Sequence, residues 1–157
     1  MKKILPLFAL LAMVWFNACK DDTVSVSPEE QMRIDQEKIE TYLSEHQLTS
    51  VKTESGLHHV ILTEGPGDHP SSTSEVEVKY VGKLVNDQIF DQTQGNKSIT
   101  FGLDQVIDGW REGIPLMKTG GKSLLLIPSQ LGYGSRDLRG IPANSVLVFE
   151  VELINFK

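Results

Sequence analysis

Residues 106–113 read Val106-Ile107-Asp108-Gly109-Trp110-Arg111-Glu112-Gly113, and the rest of the chain is organised around this stretch. An apolar pair and a Gly lead to Trp110, which starts a short helical pattern continued by Ile114 and Met117. Pro115 lacks an N–H and limits that helix to a few turns. We expect a short helix whose Trp forms the floor of a cavity, provided that other aromatic rings close around it. The alternative is that these rings fill an ordinary core.

The segments on both sides of this helix alternate with the period of β-strands. Residues 75–84 place Val76, Val78, Tyr80 and Leu84 on one face and charged side chains on the other, which predicts a half-buried antiparallel strand. Further strands are predicted at 56–62, 89–91, 98–101, 122–127 and 146–156. The predicted fold is therefore α+β, a curved antiparallel sheet (a half-barrel) wrapped on one short helix that covers its apolar face.

A second helix is predicted before this domain. Ser27 is a typical helix cap, Pro28 suits the first helical position, and two acidic residues follow in the first turn. Residues at helical spacing then form a thin stripe, Met32, Gln36, Ile39 and Leu43. The pattern leaves three placements open: on the main domain, against another copy, or as a half-exposed spacer. We predict a helix and linker over 28–50 and one domain over 51–157.

Composition and charge exclude several classes of function. The formal net charge is −6 and no basic cluster occurs, so nucleic acid is not an expected partner. A single Cys excludes a disulfide framework and a multi-Cys zinc site. His58 and His59 are neighbours on a predicted strand, so they point to opposite faces and cannot chelate one metal; we expect a surface and half-buried pair. No nucleophile-elbow sequence appears, and no cofactor is expected.

The N-terminus carries the features of an export signal. Two Lys residues precede an apolar run from Ile4 to Phe16, which is too short for a bilayer span of roughly 20 residues. Residues 1–18 are predicted to be a signal peptide. Cys19 follows directly and resembles the lipidated first residue of a bacterial lipoprotein, although Phe16 stands where an aliphatic residue is usual. The alternative is a plain signal peptide with an incidental Cys.

Residues 19–27 are predicted to be the lipidated Cys and a flexible tether rich in Ser and Thr. Lys20-Asp21-Asp22 resembles a surface-export signal of some Gram-negative lipoproteins, and an ordinary solvated tether is the equal alternative. Several acyl chains would anchor the protein stably, because each buried CH2 contributes about 0.8 kcal/mol.

Six ordered blocks carry a family resemblance that covers most of residues 51–157. They are 78–84 (VKYVGKL), 90–91 (FD), 106–113 (VIDGWREG), 127–134 (IPSQLGYG), 141–144 (IPAN) and 147–153 (LVFEVEL). Together they resemble the FKBP-type peptidyl-prolyl isomerases.

The resemblance implies a pocket for a proline ring. Trp110 would be its floor and Asp91 the one carboxylate at its rim, while the Ile107 N–H and the Tyr133 hydroxyl would hold substrate carbonyls. Asn96 or Lys97 stands near where many members have an Arg partner for the Asp. The implied catalytic set is Tyr80, Phe90, Asp91, Phe101, Val106, Ile107, Trp110, Tyr133, Ile141 and Phe149.

The resemblance and the export signal together imply a function outside the cytoplasm. The expected activity is cis-trans isomerisation of X-Pro bonds in exported proteins, as a folding helper, with proline-containing polypeptides as partners and macrolide-type inhibitors as candidate ligands. Lipid on Cys19 would anchor the protein to the outer membrane of a Gram-negative bacterium, on its periplasmic or its exposed side. Two alternatives stay open: a non-catalytic proline-binding or chaperone lipoprotein, and a surface-displayed adhesin-like lipoprotein.

Overall fold

The computed structural model describes residues 26–157, so the predicted signal peptide and Cys19 lie outside the described residues. Two α-helices and seven strands follow one another along the chain, and the predicted α+β class with an N-terminal helix is confirmed. The elements are α1 (Pro28–Glu45), β1 (Val51–Lys52), β2 (His58–Thr63), β3 (Glu75–Leu84), β4 (Ile89–Gln92), β5 (Ile99–Gly102), α2 (Asp108–Gly113), β6 (Lys122–Ile127) and β7 (Leu147–Phe156). Short 3-10 helices lie at Ile114–Leu116 and Ser129–Leu131.

All strand pairs are antiparallel and form one open sheet in the order β1-β2-β6-β7-β3-β4. β5 also pairs with β3, so that β4 and β5 share the same edge of this long strand. The strand predicted over 56–62 begins only at His58. Gly56 has a φ of 90° and belongs to the preceding turn, in which the Thr53 N–H donates to the Leu57 carbonyl.

The first hydrophobic cluster lies between the sheet and α2. Trp110, Ile114 and Met117 are buried there against apolar side chains of β3, β6 and β7. Glycine lets the helix approach closely, because a Cβ at Gly113 would lie 2.8 Å from Cδ1 of Leu125. The short helix therefore covers this face of the sheet, as the sequence predicts.

A second cluster lies on the opposite face of the sheet, under α1. Ile39, Tyr42 and Leu43 of this helix are buried against side chains of β2, β6 and β7, including Leu124, Leu126 and Val148. Of the three placements left open by the sequence, the described chain adopts the first, with α1 lying on the main domain. Both faces of the central strands are therefore covered, one by α2 and the other by α1. The strand pattern did not indicate that α1 would cover the second face.

The prediction that His58 and His59 form a surface and half-buried pair is wrong, because both side chains are buried, with 5% and 6% exposure. His58 bonds through its two ring nitrogens to Ser50 Oγ at 2.8 Å and to Oε1 of Gln36 on α1 at 2.9 Å. His59 Nε2 lies 2.9 Å from Ser123 Oγ on the neighbouring strand. Burial lowers the pKa of both imidazoles.

Neither described helix has the length and apolar character needed to cross a bilayer.

Candidate functional site

A cavity of about 490 Å³ opens on the α2 face of the sheet. It brings together all ten side chains of the predicted set, which come from strands of the sheet, α2 and the loops around them. The lining residues of that set are Tyr80, Phe90, Asp91, Phe101, Val106, Ile107, Trp110, Tyr133, Ile141 and Phe149. Three further residues line the cavity and were not part of the set, Gln105, Leu138 and Arg139.

Trp110 lies at the centre of a cluster of aromatic rings and is only 4% exposed. Three rings meet it nearly at right angles. The ring centroids of Tyr80 and Phe149 are each 5.2 Å from that of the indole, and the Phe101 centroid is 5.7 Å away. Edge-to-face contacts of this kind are favoured electrostatically and fix the orientation of each ring. The result is a rigid apolar floor and wall.

Strand register and one glycine position these rings. Tyr80 on β3 lies opposite Val151 of β7, and Phe101 on β5 lies opposite Val76 of β3. A Cβ at Gly82 would lie 2.7 Å from Cε1 of Phe149 and 2.9 Å from Cε2 of Phe90, so only glycine allows the two rings to lie against β3. The sequence carries a signal for this position, since Gly82 interrupts an alternating strand pattern.

Asp91 is bound to Tyr80 rather than to a cation. The Tyr80 hydroxyl donates to Asp91 Oδ2 at 2.5 Å, and the Gln92 N–H donates to Oδ1 at 2.9 Å. Burial, the hydrogen bond and the Asp91 charge raise the pKa of Tyr80 well above its usual value, which keeps the phenol protonated at neutral pH. Across residues 26–157, neither Lys97 nor any other Lys or Arg forms an ion pair with Asp91.

The backbone N–H of Ile107 and the hydroxyl of Tyr133 are hydrogen-bond donors that have no acceptor among the described residues. One is the N–H of Ile107, the residue before α2, whose own carbonyl accepts from the N–H groups of Trp110 and Arg111. The other is the Tyr133 hydroxyl. The Arg136 guanidinium lies over the Tyr133 ring, 5.6 Å from the ring centroid. The cavity thus offers two donors to the carbonyl groups of a bound molecule.

The three lining residues outside the predicted set belong to the loops at the mouth of the cavity. Leu138 exchanges two 2.9 Å backbone hydrogen bonds with Ile141, which makes a tight turn closed by Gly140 at a φ of 85°. Arg139 is exposed in the same turn and Gln105 precedes Val106. Loop residues follow no periodic pattern, so the sequence offers no signal that would have placed them here.

The chemistry available in this cavity is binding and orientation. In the part of the chain with described coordinates, no group of three or more His, Cys, Asp or Glu side chains is placed to hold a metal ion. The apolar floor suits a compact ring, while the two free donors and the Tyr80–Asp91 pair line its polar edge. Such a site holds an amide segment in a water-poor surrounding.

Residues 67–154, more than half of the chain, match the family model described as FKBP-type peptidyl-prolyl cis-trans isomerase. The protein named FkpA of Escherichia coli strain K12 is 44% identical over 110 residues, which cover 68% of this chain and 40% of that protein. FkpA of Buchnera aphidicola subsp. Schizaphis graminum is 44% identical over 108 residues, 68% of this chain and 43% of the relative.

Solved structures give the same fold. The crystal structure of a peptidyl-prolyl cis-trans isomerase from Pseudomonas syringae pv. tomato superposes with a TM-score of 0.69 and 32% identity, covering 85% of this chain and 98% of that one. FkpA from Escherichia coli superposes with a TM-score of 0.70 over 82% of this chain and 64% of the other, at 34% identity. The chain spans less than half the length of the curated relatives it matches.

Proposed function

The chain belongs to the FKBP-type peptidyl-prolyl cis-trans isomerase family, and from this premise we propose that it accelerates rotation about X-Pro bonds in exported polypeptides as a folding helper. One observation carries the proposal: the ten residues that the family resemblance implies line a single cavity, with Trp110 as its floor. The polypeptide would place its proline ring on the indole, among the edge-on rings of Tyr80, Phe101 and Phe149.

The barrier to be lowered comes from amide resonance. Resonance keeps the X-Pro bond planar and polar, and rotation costs about 18–20 kcal/mol. In the twisted state the resonance and part of the charge separation are lost. A water-poor aromatic cavity therefore disfavours the planar amide relative to the twisted one, whereas water favours the planar form. This is preferential binding of the transition state, and it requires no nucleophile and no proton transfer.

The polar groups at the edge of the cavity would restrict which bond turns. The Ile107 N–H and the Tyr133 hydroxyl can donate to the carbonyls that flank the proline, because neither has another acceptor among the described residues. Asp91, held by the Tyr80 hydroxyl, fixes that ring against the indole. Lowering the barrier by about 6–8 kcal/mol would accelerate the rotation about 10⁴- to 10⁶-fold.

A protease-coupled isomerisation assay tests the proposal. Both hydrophobic clusters lie within residues 26–157, so a protein beginning at Lys20 retains the whole described fold. Tetrapeptides with several different residues before the proline should isomerise faster in its presence. Trp110→Leu and Asp91→Val should each reduce the rate at least about tenfold, with an unchanged far-UV spectrum. Tyr42→Leu is the matched control, because Tyr42 is a buried aromatic residue in the cluster under α1.

Two results would contradict the proposal. Full activity in both Trp110→Leu and Asp91→Val would show that the cavity is not the catalytic site. No acceleration with any peptide would favour the alternative, a non-catalytic proline-binding or chaperone lipoprotein of the same fold. Trp110 is the only Trp in a protein that begins at Lys20, so its fluorescence reports peptide binding separately from turnover.

We also propose that the protein is exported and anchored by lipid on Cys19 to the outer membrane. The apolar run before Cys19 supports this, as does the origin of the matched FkpA proteins in Gram-negative bacteria. Cys19→Ser should abolish incorporation of labelled palmitate and move the protein from the membrane to the soluble fraction. Unchanged fractionation would contradict the anchor, and protease treatment of intact cells distinguishes surface display from a periplasmic position.

A further inference from the structure

A buried carboxylate ties α1 to the loop that follows β6. Asp35 is fully buried, with 0% exposure, at the contact between the helix and the 3-10 helix Ser129–Leu131. Its Oδ2 accepts the Ser129 N–H at 2.7 Å and its Oδ1 accepts the Gln31 side-chain amide at 2.8 Å. A second contact joins the same elements, since Gln130 Nε2 donates to the Pro28 carbonyl.

Ser129 is the point from which the loop around Tyr133 is held. Its carbonyl accepts the N–H of Gly132 at 3.0 Å and that of Gly134 at 2.8 Å. The Gly134 carbonyl in turn accepts the Asn144 N–H at 2.8 Å, which ties the far end of the loop. Tyr133 lies between the two glycines, so the place of its ring at the cavity depends on the position of the Ser129 backbone.

Removing the Asp35 carboxylate would leave the Ser129 N–H buried without an acceptor. Buried backbone donors without partners are costly, so we expect the loop to shift until this N–H reaches another acceptor or water. Any such movement displaces Tyr133. Apolar side chains of α1 that pack on the sheet, such as Leu43, form no hydrogen bond to the loop that carries Tyr133.

We propose that Asp35 is a positioning residue for the isomerase reaction, acting through Ser129 to keep the Tyr133 hydroxyl at the cavity. This rests on the proposed function of the cavity. Asp35 lies outside residues 67–154 that match the family model, so the N-terminal helix contributes to the site although no residue of α1 lines the cavity. The role requires coupling between Asp35 and Tyr133, and a purely structural role does not.

A double-mutant cycle on the protein beginning at Lys20 measures that coupling. Asp35→Ala and Tyr133→Phe should each raise KM for a proline tetrapeptide about fivefold, the factor expected for one hydrogen bond, with little change in kcat. The hydroxyl contact exists in the ground and transition states alike, which is why KM changes. The double variant should be no worse than either single variant, because both remove the same interaction.

Two further variants separate positioning from stability. Asp35→Asn keeps an oxygen that can accept the Ser129 N–H, so it should restore KM to within about twofold of wild type. Leu43→Ala is the matched control on the same helix; it should lower the melting temperature, leave KM unchanged and add independently to Tyr133→Phe. If Asp35→Ala fails to fold, Asp35→Glu replaces it in the cycle, because it keeps the charge and shifts the carboxylate by one methylene.

The outcomes distinguish this proposal from the function on which it rests. A wild-type protein that isomerises the peptide, with independent effects of Asp35→Ala and Tyr133→Phe, overturns the role of Asp35 alone. A wild type that binds the peptide without turnover overturns the catalytic proposal, and the same cycle is then measured on binding by Trp110 fluorescence. A wild type that neither binds nor turns over overturns both.

Discussion

The two faces of the sheet are covered in different ways. Under α1, an 18-residue helix lies along the sheet and buries mainly aliphatic side chains such as Ile39 and Leu126. Under α2, a six-residue helix covers only part of the opposite face. Aromatic rings line the uncovered part and meet edge to face around Trp110, which leaves the cavity of about 490 Å³.

This difference fits the placement of the proposed site on the α2 face. There the rings around Trp110 meet edge to face, an arrangement that fixes their orientation and leaves the cavity open between them. The central strands serve both faces, because neighbouring residues of β7 point to opposite sides: Val148 to α1 and Phe149 to the cavity. Substitutions of the apolar side chains buried under α1 should therefore change stability, and those on the cavity face should change activity.

The largest expected effect is on stability and comes from the α1 face. Ile39→Ala removes a fully buried side chain of α1 and should lower the free energy of unfolding by about 2–5 kcal/mol. Isomerase activity should persist at temperatures where the variant is folded. Urea denaturation followed by circular dichroism measures the free energy of unfolding, and the peptide assay measures the isomerase activity.

Ile34→Ala is the control on the same helix. Ile34 is less buried than Ile39, so this substitution should lower the free energy of unfolding by less. A loss of activity in folded Ile39→Ala as large as that in Trp110→Leu would contradict the separation of the two faces.

A pair of neighbouring residues sharpens the comparison. Val148→Ala should lower the free energy of unfolding by about 1–3 kcal/mol and leave kcat/KM within about twofold of wild type. Phe149→Leu should lower kcat/KM about tenfold, because it removes the edge-to-face contacts with Trp110 and Phe90 that shape the cavity. Equal effects of both variants on activity would show that the cavity tolerates changes in its aromatic wall.

A smaller effect is expected at the glycine of the cavity wall. Gly82→Ala introduces a Cβ within 3 Å of the rings of Phe149 and Phe90, which must shift. We expect a cost of about 1–3 kcal/mol in stability and a several-fold fall in kcat/KM. Gly95→Ala is a control, since a Cβ there would meet no atom within 4 Å, although the φ of 58° adds strain of its own. Unchanged activity in Gly82→Ala would show that the two rings adapt without loss of function.

The sequence predicted the cavity face well because its signals are local and ordered. The alternation along 75–84 indicated the face of Tyr80, and the helical pattern from Trp110 indicated the floor. The blocks of the family resemblance then supplied the residues that the fold brings together from distant strands.

The α1 face was not predictable to the same degree. The thin apolar stripe that contains Ile39 and Leu43 could pack on the sheet, pack against another copy or face solvent. A helical period shows which face of a helix is apolar, but it does not show what that face contacts. For the same reason the burial of His58 was missed: its face of β2 is covered only because α1 lies there. Asp35 gave no signal, because a carboxylate within a polar helix is indistinguishable from a solvated one until the loop at Ser129 is placed against it.

The smallest expected effect is a dependence of stability on pH that comes from the two buried histidines. Burial lowers the pKa of His58 and of His59, with Lys52 contributing at His58. The unfolded chain therefore takes up protons at a higher pH than the folded one. The stabilisation is complete above about pH 6.5, the ordinary His value, and declines as the pH falls through the folded pKa values.

Denaturation measured between pH 7 and pH 5 tests this, since the carboxylates with lowered pKa values lose their contribution only at lower pH; they are Glu29, Glu30, Glu64 and Asp87. The free energy of unfolding should fall on acidification over this range, because the unfolded chain takes up protons before the folded one does. His58→Gln should remove roughly half of the slope, because the amide cannot take the proton yet can still bond to Ser50 and Gln36. His59→Gln should remove the other half on the face of α2. If the free energy of unfolding stays constant or rises as the pH falls from 7 to 5, the folded imidazoles take up protons at least as readily as the unfolded ones. The hydrogen bonds of His58 to α1 would then be those of a cation.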